Sequence, residues 1–207
     1  MPHVYVVLTD TGTLFSRSIR CWTGKPLNHA SIALDPDLDE IYSFGRLRPN
    51  NPLKAGFVRE RVWGSLIRGS ERRTPCAVYR CRLGRTAYLK LLAEIERFRR
   101  EPSRYRYNLA GLLAVAAGID WRRPRKFFCS QFVAHLFHAA GAPLVRKPPA
   151  LTTPHDLEAS TRLELVYRGD LREFCARRDR VAEDRTVRSV REAALPVAPR
   201  KSSAAVR

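Results

Sequence analysis

The chain has 207 residues, 44% of them hydrophobic, which suits one globular domain with an extension. Its 38 Lys and Arg against 20 Asp and Glu give a formal net charge of +18, which favours anionic partners and indicates nothing about the fold. No apolar run approaches the roughly 18 residues of a membrane-spanning helix. The 5 cysteines are odd in number, scattered and without zinc spacing, which argues against a disulfide framework and predicts neither a metal site nor a cofactor.

The N-terminal half consists mainly of predicted strands. The opening stretch HVYVVLTDT alternates like a strand and lacks the basic leader of a secretory signal, which favours a cytoplasmic protein. The stretch LFSRSIRCWTG predicts a short helix or turn. HASIALDPDLDEIYSFGR predicts a hairpin around the turn DPDLDE, and GFVRERVW and CAVYRCRL each predict a strand.

The C-terminal half is mainly helical. TAYLKLLAEIERFRRE is amphipathic, while NLAGLLAVAAG and the run that begins at Cys129 predict two further helices, the second closed by Gly141. LELVYRG predicts a last strand. Beyond a domain of residues 1–176, the basic tail 177–207 is charged and poor in aromatics, which predicts disorder or at best a solvated helix. This order of elements predicts an α+β fold with a mainly antiparallel sheet.

Cys129 lies where a predicted helix begins, in RKFFCSQFVAHLFHAAGAP. A helix N-terminus lowers the pKa of a thiol, and the thiolate is the nucleophilic form. Cys129 is therefore a candidate nucleophile if a base lies near it. The two histidines of the same helix, His135 and His138, cannot serve, since they project roughly 240° and 180° away around the helix axis.

His29 is the best candidate for the base. It opens the strand HASIAL on the face that it shares with Ser31 and Ala33, and these small residues leave space for a helix end and a substrate. The alternative is a histidine whose hydrogen bonds are satisfied locally at a strand end, and spacing alone does not separate the two interpretations.

Several stretches, taken in chain order, resemble one family of cysteine enzymes. They are NHASIALD, IYSFGR, GFVRE, YRYNLAGL, FFCSQFVAHLFHAAG, and TTPHDL ahead of LELVYRGDL. This series resembles the circularly permuted papain-like branch of the NlpC-type cysteine peptidase superfamily, whose relatives include lecithin retinol acyltransferase-like enzymes. The resemblance spans roughly residues 3 to 172 and is strongest at the His29 strand and the Cys129 helix.

The resemblance implies a circularly permuted papain-like fold, in which an antiparallel sheet packs against a helix that carries Cys129 at its N-terminus. It implies that His29 takes the thiol proton, that Cys129 attacks an acyl carbon, and that backbone N–H groups near the helix start hold the oxyanion. A third polar residue orients the histidine in this family. Ser43 occupies that position, where the commoner pattern has a histidine, a glutamate or a similar acceptor, and a hydroxyl orients more weakly than a carboxylate.

Other polar residues of the same stretches are candidates for the site. Glu60 and Asn28 are candidate replacements for Ser43, and Tyr107 and Asn108 suit a cleft, although helix packing and capping explain them equally well. The candidate substrate-binding residues all belong to the stretches that carry the resemblance, and they are Asn28, Glu60, Tyr107, Asn108, Ser130 and Gln131.

These features predict a cytoplasmic thiol hydrolase or acyltransferase that acts on an amide, ester or thioester of a small-molecule, lipid or peptide substrate. The basic charge and the arginine face of the helix over 87–101 suit an anionic substrate or membrane surface, although a solvated helix face explains the same residues. The alternative is a catalytically weak or inactive papain-like binding module whose basic surface binds an acidic partner or, less favoured, nucleic acid. The residues predict no oligomeric state.

Overall fold

The computed structural model describes residues 1–10, 26–48, 51–67 and 73–193, and for 48, 51–54, 113, 116, 182 and 185–193 it describes the backbone alone. The short helix or turn expected over LFSRSIRCWTG lies outside these residues. Within them, the strands are β1 (His3–Thr9), β2 (His29–Ala33), β3 (Ile41–Arg48), β4 (Asn51–Glu60), β5 (Pro75–Arg82), β6 (Arg106–Tyr107), β7 (Lys126–Phe127) and β8 (Glu164–Asp170). The α-helices are α1 (Arg85–Arg100), α2 (Leu109–Ala116), α3 (Cys129–Ala139), α4 (Pro154–Glu158) and α5 (Leu171–Ala193).

One sheet contains all the described strands, in the order β7-β6-β4-β3-β2-β1-β5-β8. Neighbouring strands are antiparallel except β6 and β7, which are parallel. The α+β class predicted from the sequence is confirmed. The predicted hairpin is β2 and β3, and its register pairs Ile32 with Tyr42 and Ala33 with Ile41.

The two faces of the sheet bury separate apolar cores, because successive side chains of a strand point to opposite faces. On one face, Ile32 and Phe44 pack with apolar side chains of α1 and α3, and the Phe44 and Phe132 rings lie 5.2 Å apart. On the other face, Val7 and Val78 pack with the start of α5. Helix α3 is therefore held against β2 and β3 by its apolar side.

The ends of several elements differ from the sequence predictions. The strand predicted over GFVRERVW ends at Glu60, and Val62–Leu66 form a π-helical turn in which Gly64 has φ 93°. The predicted end of α3 is confirmed, since Gly141 follows it with φ 72°, a left-handed conformation that glycine adopts at little cost. Helix α5 spans Leu171–Ala193, so the tail begins as a helix, which is the second of the two alternatives that the sequence left open.

The described part of the chain contains no helix that is both long and apolar enough to cross a membrane.

Candidate active site

Cys129 is the first residue of α3. Phe128 before it is extended, with φ −105° and ψ 169°, and the Phe128 N–H donates to Oε1 of Gln131 over 3.3 Å. That bond satisfies one N–H at the helix start, where intrahelical acceptors are lacking. The cysteine side chain is 4% exposed, so its sulfur lies beneath the surface at the end of the helix.

The surroundings of Cys129 favour a thiolate. Burial alone would raise the pKa of Cys129, but a hydrogen bond from His29, the positive charge of that ring, and the backbone N–H groups of Ala30 and Ser130 lower it below its ordinary value. Strand β2 pairs with β3 at Ile32 and Ala33, and its first residues lie beside the start of α3. The sequence motifs around residues 29 and 129 thus meet in space.

His29 is held on its other side by a carboxylate. Its Nε2 lies 3.0 Å from Oε1 of Glu60, and the ring is also near enough to Cys129 for the two groups to shift each other's pKa. Burial would lower the pKa of His29, but the charge of Glu60 and the hydrogen bonds with Cys129 and Glu60 raise it to about 10. The geometry therefore favours an imidazolium between a thiolate and a carboxylate.

Glu60 is the last residue of β4, and both of its carboxylate oxygens are engaged. Oε1 faces His29, and Oε2 accepts a 2.6 Å hydrogen bond from the buried Ser31 hydroxyl. Burial would raise the pKa of Glu60, but the His29 charge and the bonds from His29 and Ser31 lower it. Glu60, named from sequence as a replacement for Ser43 and as a substrate-binding candidate, lies behind the histidine, where it orients the ring.

Ser43 is fully buried on the same sheet face as Glu60. Its Oγ makes no hydrogen bond of ordinary geometry to any described residue, although Ser43 is near enough to help lower the pKa of Glu60. Ser43 therefore makes no hydrogen bond to the His29 ring. The group that bonds the ring is the Glu60 carboxylate on the next strand, and the catalytic role predicted for Ser43 stays a prediction.

Asn28, the residue before His29, links two strand ends. Asn28 is buried, and its Nδ2 donates to Oδ1 of Asp10 over 2.9 Å. Its Oδ1 has no hydrogen-bond partner in the described residues. Asn28 therefore fastens the entry of β2 to the end of β1 and does not orient His29.

Asn108 and Gln131 link the starts of α2 and α3, and Ser130 fastens the start of α3 to the segment at Thr152. Asn108 caps α2 by accepting from the Gly111 N–H over 3.0 Å, and its Nδ2 lies 3.5 Å from Oε1 of Gln131. A Cβ at Gly111 would lie 2.0 Å from Asn108 Nδ2, so this cap requires glycine. Ser130 donates to the Thr152 carbonyl over 2.8 Å, which leaves its backbone N–H as the group that faces the sulfur.

Tyr107 lies close to the sulfur. Burial and the negative charge of Cys129 raise the pKa of Tyr107 well above its ordinary value, so the hydroxyl keeps its proton. A protonated phenol near a nucleophile can donate a hydrogen bond to a substrate oxygen. Of the candidate substrate-binding residues, Tyr107 is the one whose position relative to Cys129 suits that role.

Ser31 is a functional candidate that the sequence analysis did not select. The signal was present, because Ser31 shares the His29 face of β2 and is the only hydroxyl on that short strand. What the sequence did not contain was the position of Glu60, and without it Ser31 had no partner.

No protein-family model matches this chain, and no curated protein matches it significantly. The site is therefore interpreted from its own geometry. The described residues include no group of three or more His, Cys, Asp and Glu side chains placed to hold a metal ion.

Proposed function

We propose that the protein is a thiol hydrolase or acyltransferase in which Cys129 is the nucleophile, His29 the acid and base, and Glu60 the residue that orients His29. One observation carries the proposal: His29 lies near enough to Cys129 at a helix N-terminus to lower the pKa of its thiol, and the His29 Nε2 lies 3.0 Å from a buried carboxylate oxygen. A nucleophile, a base and an orienting group in this order form the usual arrangement of covalent acyl transfer.

The proposed reaction has two steps. The Cys129 thiolate attacks the acyl carbon of an amide, ester or thioester, and the tetrahedral intermediate collapses as His29 gives its proton to the leaving amine, alcohol or thiol. Water, or an acceptor with a free hydroxyl or amine, then loses a proton to His29 and attacks the thioester. The carbon–sulfur bond breaks, and the thiolate–imidazolium pair is restored.

The oxyanion of each step needs hydrogen-bond donors near Cys129. The first N–H groups of a helix lack intrahelical acceptors, and the Ser130 N–H already faces the sulfur. The Tyr107 hydroxyl is a second donor that stays protonated. We propose that these groups bind the acyl oxygen.

We further propose that the fold is the circularly permuted papain-like one. The histidine strand precedes the cysteine helix in the chain, and a largely antiparallel sheet packs on that helix. This order supports the resemblance that the sequence motifs carry. The acyl donor is proposed as a small molecule, a lipid or a peptide, and the protein as cytoplasmic.

The alternative function is a papain-like binding module for an acidic partner or nucleic acid. Its support is the net charge of +18 and the weak acceptor at Ser43. The Glu60 carboxylate supplies a stronger acceptor than a hydroxyl. The enzyme is therefore the better supported of the two.

Trapping of the acyl-enzyme tests the proposal. We expect p-nitrophenyl acetate to acetylate Cys129, as detected by mass spectrometry of its peptide, and we expect Cys129→Ser to abolish ester hydrolysis. Cys81→Ser is the matched control, because burial raises the pKa of that thiol and no histidine bonds it. Acetylation spread evenly over the cysteines, or hydrolysis retained by Cys129→Ser, would reject the enzyme in favour of the binding module.

A further inference from the structure

The chain has an uncharged stretch beside the candidate site. Residues 107–119 contain no charged side chain, although 28% of the chain is charged. Helix α2 occupies most of this stretch. A helix that is apolar all round is normally buried, but Leu109 is 46% exposed and Ile119, just after the helix, is 57% exposed. Leu109 and Ile119 are therefore open to solvent in the described structure, whereas Ala114 between them is buried.

A basic and aromatic loop follows directly. Trp121 is 50% exposed, and the Arg123 guanidinium lies over its ring at 5.6 Å. Arg122 and Arg125 are exposed on either side, with Arg122 2.8 Å from Asp120. Tryptophan and basic side chains beside exposed aliphatic residues are the composition of a segment that lies in a membrane interface.

The loop returns the chain to the candidate site. Arg125 adopts a left-handed φ of 58° as it leads into β7, and its carbonyl accepts from the Arg106 N–H over 3.0 Å. Strands β6 and β7 then run parallel, so that Tyr107 and Phe127 are paired. The exposed apolar and basic residues therefore border the strands that lead into Tyr107 and Cys129.

We propose that Leu109, Ile119 and Trp121, together with Arg122, Arg123 and Arg125, form a docking surface for an anionic lipid bilayer. We call these residues the α2 surface. Its apolar side chains would enter the headgroup region, and its guanidinium groups would contact lipid phosphates and carboxylates.

The α2 surface suits a bilayer better than other occupants. Nucleic acid would contact the arginines but leave the aliphatic Leu109 and Ile119 without a role. A second copy of the chain, related by a two-fold axis, would bring like-charged arginines together. The arginines of α1 are a weaker lipid site, because Arg97, Arg99 and Arg100 each pair with a glutamate at 3.4 Å. In the α2 surface, the ion pair among the described residues is that of Arg122 with Asp120.

Vesicle flotation with the full chain tests the proposal. We expect binding to vesicles of phosphatidylserine and phosphatidylcholine, little binding to phosphatidylcholine alone, and a partition constant roughly tenfold lower for the double variant Ile119→Ser, Trp121→Ser. The matched control is Trp63→Ser. Trp63 is similarly exposed and has the Arg172 guanidinium 5.6 Å from its ring, but it lies at the π-helical turn by the opposite face of the sheet.

A charge-matched pair of variants supplies the second arm. Replacing Arg122, Arg123 and Arg125 by glutamine should reduce binding, whereas replacing Arg97, Arg99 and Arg100 of α1 removes the same charge and should reduce it much less. Equal losses from the two triple variants would overturn the proposal, since general charge would then explain the binding. So would vesicle binding that the Ile119, Trp121 variant leaves unchanged.

Two measurements separate this proposal from its alternatives. Cys129→Ser removes the thiol that would form the thioester, so vesicle binding by this variant at the level of the unmodified chain supports docking whether or not the enzyme proposal is correct. A dimer seen by analytical ultracentrifugation, together with no vesicle binding and dissociation by Trp121→Ser, would assign the α2 surface to a second copy. If an oligonucleotide displaces the vesicles and binds the Ile119, Trp121 double variant as tightly as the unmodified chain, the α2 surface would be assigned to nucleic acid.

Discussion

Two histidine–carboxylate pairs of similar length lie at different depths in the protein. His29 is 3.0 Å from Glu60, with the side chains 12% and 7% exposed, whereas His135 is 2.9 Å from Glu94, with 31% and 13% exposed. By distance alone both histidines look like oriented bases. The difference lies in what the second side of each ring contacts.

The His29 ring contacts a thiol, and the His135 ring contacts aromatic side chains. His135 lies 5.0 Å from the Phe127 ring and 6.0 Å from the Phe98 ring, centroid to centroid. It belongs to the same helix as Cys129 but faces α1, where Glu94 resides. A carboxylate partner is therefore insufficient to identify a base, since the ring must also reach a nucleophile.

The largest expected difference between the two pairs is the effect of removing each histidine on the alkylation of Cys129. We expect His29→Ala to move the pH midpoint of Cys129 alkylation up toward an ordinary thiol value of about 8.5, so that the rate at about pH 6.5 falls to roughly 1% of its alkaline plateau. His135→Ala should leave the midpoint in place. Iodoacetamide labelling followed by mass spectrometry of the Cys129 peptide measures both. Equal midpoints in the two variants would remove the base role from His29.

The carboxylates give the next largest contrast. Glu60→Gln removes the charge that holds His29 protonated, so we expect ester hydrolysis to fall by roughly tenfold to a hundredfold and its alkaline limb to move below about pH 10. Glu94→Gln should leave the rate of ester hydrolysis within about twofold and the alkaline limb at the same pH.

Ser43→Ala completes this set, because the family resemblance gives Ser43 the orienting role. We expect Ser43→Ala to reduce the rate of ester hydrolysis less than Glu60→Gln does and to leave the alkaline limb at the same pH. Measurements of kcat and KM over the same pH range test this. A larger effect from Ser43→Ala than from Glu60→Gln would return the orienting role to Ser43.

The smallest expected effect is on stability. At a pH above both about 6.5 and the lowered pKa of Cys129, and below about 8.5, the folded state holds a proton on His29 that the unfolded state has lost, and lacks the Cys129 proton that the unfolded state keeps. The free energy of unfolding contributed by the pair is flat and maximal there. Above about pH 8.5 the unfolded thiol also ionises, and the contribution falls as the pH rises toward about 10. On the acid side, the contribution of Cys129 is lost as the pH drops through the lowered pKa of its thiol.

Urea unfolding across this range measures the effect. We expect His29→Gln to remove both slopes, each approaching about 1.4 kcal/mol per pH unit, while His135→Gln keeps them. Curves of the same shape for the unmodified chain and His29→Gln would mean that the thiolate–imidazolium pair does not form.

The long periodic elements were predictable from the sequence, and the short ones were not. The alternation in β2 and β3 and the apolar side of α3 are local patterns that predict a strand or a helix wherever the segment lies. Strands β6 and β7 have two residues each and exist through their pairing, so no local pattern indicates them. Helix α5 packs Leu171 and Cys175 of its first two turns on the sheet, a contact that composition does not contain.

The sequence by itself determined the two reactive side chains and their local settings. They are a cysteine at the start of a helix, and a histidine on a strand face that otherwise carries small side chains. Their order along the chain, within the series of motifs, was enough to predict that they pair. Only the tertiary structure decided which group holds the histidine, because Glu60 reaches His29 from the end of another strand and bonds Ser31 as well. Distances between residues far apart in sequence are set by strand register and core packing, and neither is encoded in a local pattern.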